Sequence, residues 1–182
     1  MNGNADRDNV EPTSTDPLTG AYVRTLLDIR LARELERVRR SDGSCSMHLF
    51  DVDCFKGIND AYGRARGDQV LREVAERVTD LVRLGDTLFR YGGDAFVLLL
   101  PDTGKADAVE VALRVVDAVR VTPFPGTPPL SVSVSLGVAS FPEDASEAAG
   151  LLRVADRRSW LAKRQGRACV VADDAAPGFA RG

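Results

Sequence analysis

Long apolar runs are missing from this chain of 182 residues: the longest, Ala95 to Leu100, is six residues, far short of the ~20 a helix needs to cross a bilayer. The N-terminus has no apolar segment and reads as no signal peptide. Cysteine is sparse as well. Cys45, Cys54 and Cys169 are an odd, scattered set without metal-ligand spacing, which excludes a disulfide framework or a cysteine metal centre. Charge of one sign is also lacking, since 24 Lys+Arg against 27 Asp+Glu leave a net −3. A nucleic-acid binder working through a broad basic surface is thereby excluded, because phosphate neutralisation needs clustered cations. These absences imply a reduced, cytoplasmic protein with neither nucleic acid nor membrane as a partner.

The composition, 44% hydrophobic and 28% charged, suits one globular domain with a core. Residues 1–15 are polar and aperiodic and read as a disordered tail, 172–182 as a C-terminal tail, and 16–171 as the folded domain. Leu27, Leu31, Leu35 and Val38 recur at helical spacing, with Arg and Glu opposite them. Ser46 to Asp53 reads as a strand ending in two carboxylates. Val70, Leu71, Val74, Val78 and Leu81 mark a second long helix opened by Gly67 with Asp68 as N-cap. Thr87–Tyr91 and Ala95–Leu100 read as a hairpin whose Gly92-Gly93 supplies positive φ. Ala108 to Val119 predicts another helix. Leu130 to Val138 alternates strictly with Ser131, Ser133, Ser135 and Gly137, a strand signal. Asp144 and Glu147 suggest a capping box for a helix through Ala162, and Cys169–Val171 a last short strand. The order α-β-α-β-β-α-β-α-β implies an α/β (α+β) sandwich with a mixed or antiparallel sheet and packed helices.

Three segments carry candidate chemistry. In Phe50–Asp60 (FDVDCFKGIND), a strand delivers Asp51 and Asp53 to a sheet edge and Lys56 opens a short helix, a combination that suits a divalent cation on a polyphosphate. On spacing alone, an ordinary solvated turn is the favoured reading. In Arg90–Phe96 (RYGGDAF), the hairpin tip brings Asp94 beside the strand of Asp51, so that two carboxylates can share a metal; alone, a Gly-Gly-Asp turn is usually just a turn. In Leu161–Arg167 (LAKRQGR), Lys163 and Arg167 lie near a helix C-terminus, where cations are favourable without any ligand; they could equally clamp phosphate.

Together with DPLTGAYVR (Asp16–Arg24), SVSLGVASFP (Ser133–Pro142) and ADRRSWLAKRQGR (Ala155–Arg167), these segments resemble, in order, the GGDEF family of diguanylate cyclases, which make cyclic di-GMP from two GTP. The resemblance implies a nucleotidyl-cyclase, ferredoxin-like sandwich. It implies Mg²⁺ (or Mn²⁺) held by Asp51, the Val52 carbonyl and Asp94, with Asp94 also the catalytic group for the attacking ribose hydroxyl. Asn59 and Asp68 would read the guanine edge, and Lys56, Lys163 and Arg167 would hold the triphosphate. Arg83 and Asp86 match the family's inhibitory RxxD motif, with Arg114 as a further arginine of that site; a helix end and turn explain Arg83 and Asp86 without a ligand.

Two positions depart from the family. Ala95 stands where the family has Glu, a residue at the metal–phosphate site generally required for turnover, and Arg64 replaces a His. The family reaction joins two GTP held by facing domains, and only the polar tail precedes this domain. The expectation is therefore a degenerate domain that binds cyclic di-GMP at the RxxD site, GTP at the former active site, or both, with homodimerisation on ligand binding or a separate protein partner. An active diguanylate cyclase is the alternative, and an interaction module without ligand the third reading. His48 is read as a core or surface residue, and Cys54 and Trp160 as packing, rather than as chemistry.

Overall fold

The computed structural model describes residues 14–174; residues 1–13 and 175–182, the bulk of both expected tails, lie outside them. The elements are β1 (Tyr22–Val23), α1 (Arg24–Ser41), β2 (Cys45–Val52), α2 (Phe55–Tyr62), α3 (Arg64–Leu81), β3 (Thr87–Gly92), β4 (Ala95–Leu100), α4 (Lys105–Val121), β5 (Val134–Phe141), α5 (Ala148–Arg164) and β6 (Val170–Val171). One six-stranded sheet runs β1-β3-β4-β2-β5-β6. Its outer pairs β1–β3 and β5–β6 are parallel and the inner ones antiparallel, so the sheet is mixed.

Helices cover both faces. On one, α1 and α5 pack Leu27, Leu31, Leu35, Leu151 and Ala155 on Met47, Leu49, Val97 and Ala139. On the other, α3 and α4 pack Val74, Val78, Ala112 and Val115 on Phe50, Phe96, Leu98 and Leu136. A fully buried leucine contributes about 2 kcal/mol, so the apolar stripe of α1, with Leu27 and Leu31 at zero exposure, is sufficient to dock it. Of the alternating stretch, only Val134 onward is strand. Every residue of β5 is buried; Val134, Leu136 and Val138 pack on the α4 side, and Ala139 and Phe141 pack on the α5 side. A Cβ at Gly137 would lie 2.1 Å from the Ala155 carbonyl oxygen, so α5 lies directly on the strand.

Three local expectations are corrected. The second long helix begins at Arg64, after Gly63 (φ 83°), and Asp68 lies inside it rather than capping it. Gly92 and Gly93 are not left-handed; the strand register shifts between Arg90 and Gly92, and the Arg90 guanidinium closes the turn by donating to the Gly93 carbonyl at 2.9 Å. The capping box does not form. Glu147 makes no side-chain cap, and Asp144 instead accepts from the Ser140 N–H and pairs with Arg158 and Lys105. Among the described residues, Thr15 bridges Tyr22, Asp173 pairs with Lys105, and Asp174 pairs with Arg158.

Candidate functional site

The centre of the site follows from register. Asp51, the penultimate residue of β2, lies opposite Ala95 of β4 and opposite Ser135 of β5. Directly opposed residues share a sheet face with Cβ atoms roughly 5 Å apart, so a side chain at 95 stands next to the Asp51 carboxylate. From α5 above, Lys163 Nζ pairs with Asp51 at 2.8 Å and the Ser159 hydroxyl donates to it at 3.3 Å. The hairpin tip folds onto the same edge, and the Val52 N–H donates to the Asp94 carbonyl at 3.2 Å. Burial pushes the Asp94 carboxyl above its ordinary pKa and the Asp51 charge adds to this; its own backbone hydrogen bond and Lys163 only partly offset it.

A half-buried carboxyl raised by a neighbouring carboxylate is short of positive charge. Among the described residues no group of three or more His, Cys, Asp or Glu gathers anywhere. The donor set here is thus two carboxylates and backbone oxygens. It fits a hard divalent cation that completes its shell with water and phosphate oxygens, the usual manner of Mg²⁺, and does not fit a softer metal. Neither packing nor backbone requires glycine at 92 and 93, where an added Cβ would meet nothing within 4 Å. Their bareness leaves the surface beside Asp94 open.

A second group forms where α2 meets α3. Gly63, whose N–H donates to the Asn59 carbonyl, turns the chain so that Asn59 packs against the first turn of α3. A Cβ at Gly67 would fall 1.9 Å from Asn59 Oδ1, so only glycine leaves room for this amide. That Oδ1 is buried against Gly67 without a hydrogen-bond partner. Asp68, next to Gly67, is exposed at this corner, and Lys56 is exposed on the first turn of α2. Lys163 lies in the last turn of α5 and Arg167 three residues beyond its end, at φ 67°.

The RxxD residues meet in a separate cleft of about 270 Å³, also lined by Arg114, Asp102, Thr103 and Asp107. Arg83 Nε donates to Asp86 at 3.1 Å, and Nη2 donates to the Thr103 hydroxyl at 2.8 Å and to the Pro101 carbonyl. Its Nη1 carries no hydrogen bond among the described residues, which leaves one edge of the guanidinium fork for a ligand.

Several residues have roles that the sequence reading did not assign. Asp53, grouped with Asp51 by spacing, is buried and bonded within the fold. Arg90 Nη1 donates to both oxygens of Asp16 at 2.9 and 3.1 Å, tying the entry turn to the hairpin tip; burial works against Asp16, yet bonds from Thr19 and Arg90 leave its pKa lowered. His48 is a core residue: fully buried, bonded to the Ala108 carbonyl at 2.9 Å and pushed down to about 4 by desolvation. Trp160 and Cys54 are not packing. Trp160 is 53% exposed beneath Arg164, and Cys54 is exposed at φ 55°. Nothing in the structure explains Arg64, which opens α3 on the surface.

A six-stranded mixed sheet between helical layers, with paired carboxylates at a hairpin tip and cations on the helix above, defines a nucleotidyl-cyclase-type α/β domain. The chain belongs to the GGDEF family: residues 13–169 match the model of the "Diguanylate cyclase, GGDEF domain". It is 38% identical over 166 residues to the response regulator PleD of Caulobacter vibrioides, covering 90% of this chain and 37% of PleD. Among solved structures, the Pseudomonas aeruginosa diguanylate cyclase SiaD, in complex with its activator SiaC, superposes with a TM-score of 0.83 at 39% identity, over 88% of this chain and 62% of that one. The GGDEF domain of DgcB from Caulobacter crescentus, in complex with cyclic di-GMP, gives 0.81 at 26% identity, over 88% and 96%. The chain thus spans well under half the length of PleD. Among the described residues no helix is long and apolar enough to cross a membrane.

Proposed function

We propose that this domain is a guanine-nucleotide receptor of cyclic di-GMP signalling, with synthesis of cyclic di-GMP impaired. It binds GTP with a divalent cation at the Asp51/Asp94 edge and cyclic di-GMP at the Arg83/Asp86/Arg114 cleft. The observation that carries the reading is the register of β2 and β4. Ala95 is the cross-strand partner of Asp51, so the methyl group occupies the position beside the metal carboxylate where the family places its glutamate.

Asp51, the Val52 carbonyl and Asp94 would hold Mg²⁺, which when bound would neutralise the triphosphate and draw charge from its reacting phosphorus. The chain's own residues do the rest. The enclosed amide of Asn59 and the carboxylate of Asp68 bind the guanine edge; a carboxylate accepts from the N1–H and N2–H₂ that adenine lacks. Lys56 and Arg167 supply positive charge to the phosphates, and Lys163 divides its charge between Asp51 and the phosphate. Asp94, its pKa raised by burial and by Asp51, is the group suited to accept the proton of a ribose hydroxyl.

Incubation of the domain with GTP and Mg²⁺, with cyclic di-GMP quantified, tests this directly. The expected result is bound GTP with product formation at least about tenfold below that of the same domain carrying Glu at 95, the lower end of the cost of a lost metal-site group. Equal product from both proteins overturns the receptor in favour of a working cyclase. Calorimetry with cyclic di-GMP on Arg83→Ala tests the second cleft; unchanged affinity removes it.

A further inference from the structure

Asp53 is the one carboxylate of the FDVDCFK segment to which the reading above gives no part, and its surroundings are specific. It lies one residue past β2 and is 7% exposed. Oδ1 accepts from the Ser135 hydroxyl at 2.7 Å, and Oδ2 accepts from the Ser133 hydroxyl at 2.7 Å and from the Ala168 N–H at 3.2 Å. Its own N–H donates to the Ser133 carbonyl at 2.8 Å. No cation pairs with it among the described residues, so three oriented donors hold a buried anion, and charge-assisted bonds of this kind are the strong ones.

The third donor is the informative one. Gly166, Arg167 and Ala168 have φ of 115°, 67° and 51°; two of the three are not glycine, a run that the chain does not adopt unaided. Three bonds fix it: Arg167 N–H to the Ala162 carbonyl, Leu136 N–H to the Cys169 carbonyl, and Ala168 N–H to Asp53. Only the last reaches the strand end that carries Asp51. We infer that Asp53 is a positioning residue, locking the left-handed turn from which Arg167 projects to the metal-edge strand and so holding the phosphate arm in register with the Asp51 carboxylate. Ser133 and Ser135 serve the same end by fixing the orientation of the carboxylate.

The part of this inference that concerns phosphate rests on the nucleotide reading; the part that concerns the turn does not. Amide exchange and nucleotide affinity are therefore measured together on wild type, Asp53→Asn, Arg167→Ala and the double variant. In Asp53→Asn, exchange at Gly166–Cys169 rises by at least about tenfold, the loss of one charge-assisted hydrogen bond, while α1 and α3 keep their protection. Affinity for GTP falls about tenfold and affinity for GMP stays the same. The double variant binds GTP no more weakly than Arg167→Ala alone, since a displaced arm and a missing one are equivalent. Should Asp53→Asn fail to fold, Ser133→Ala gives the same pattern at smaller size. Retained protection of the turn, or losses that simply add in the double variant, overturns the inference. If wild type binds no GTP, the nucleotide reading fails, and the exchange data still decide whether Asp53 holds the turn.

Discussion

At the end of the sheet where β5 leads toward α5, Arg158 is 3% exposed and its charge is fully met: Nη1 donates to the Val138 carbonyl at 2.7 Å, Nη2 pairs with Asp144 at 2.8 Å, and Nε pairs with Asp174 at 3.2 Å. Lys105 supplies a second cation to Asp144 at 3.1 Å. At the other end, where β2 finishes, Asp51 and Asp94 share one partial counter-charge, Lys163, and Asp94 ionises reluctantly. Both clusters are half-buried or deeper, and each takes a cation from α5. One is closed, every charge answered from within. The other is open, with excess negative charge beside bare glycines. A closed cluster serves the fold; an open one costs stability unless something arrives to neutralise it. That contrast is the physical argument for a cation-bearing ligand at the second end.

Breaking the closed cluster should have the largest effect. Arg158→Ala leaves Asp144 buried with only Lys105 and strips the Val138 carbonyl. We expect a loss of about 3 kcal/mol in denaturant unfolding, the low end for a broken buried pair because Lys105 remains, with nucleotide affinity of the folded fraction unchanged. A loss below about 1 kcal/mol would mean that the two ends do not differ as described.

Ala95→Glu sharpens the contrast from the other side. A carboxylate opposite Asp51 adds like charge, so without metal the domain should lose roughly 0.2–1 kcal/mol, while divalent-cation affinity by titration rises about 10–100-fold and product formation increases. Stability and metal affinity moving in opposite directions is the signature; movement of both in one direction contradicts it.

The smallest effect is in pH. Burial pulls the Asp144 carboxyl upward, but bonds from Arg158, Lys105 and the Ser140 N–H more than reverse this and leave it lowered. Its stabilisation is therefore present above the unfolded value of 3.8 and is lost as pH falls through the folded one. Asp94 has the opposite sign. Raised in the fold, it takes up protons more readily than in the unfolded chain, so it penalises folding increasingly as pH rises from 3.8 through its folded value. Unfolding curves across this range should show the advantage of Asp94→Asn over wild type growing with pH, and the deficit of Asp144→Asn shrinking as pH falls.

The elements were legible because helices and strands write their periods into apolar residues, as Leu27, Leu31, Leu35 and Val38 do for α1. What misled was local chemistry with more than one outlet. Asp68 and Asp144 look like caps, yet one lies inside α3 after Gly63 begins it, and the other is drawn off by Arg158. Asp51 and Asp53 are chemically identical two residues apart; only the position of α5 and its following turn separates a carboxylate facing Lys163 from one consumed by Ser133, Ser135 and Ala168. No spacing rule encodes that difference.

The central claim is that the open end takes a guanine nucleotide together with a divalent cation. Calorimetric titration of GTP into wild type and Asp51→Asn, each with Mg²⁺ and with chelator, tests it most directly. The account predicts one site per chain in wild type, weakened at least about tenfold by chelator or by the substitution, with no further loss when both are applied. Binding of equal strength in all four titrations, or in none, would contradict it.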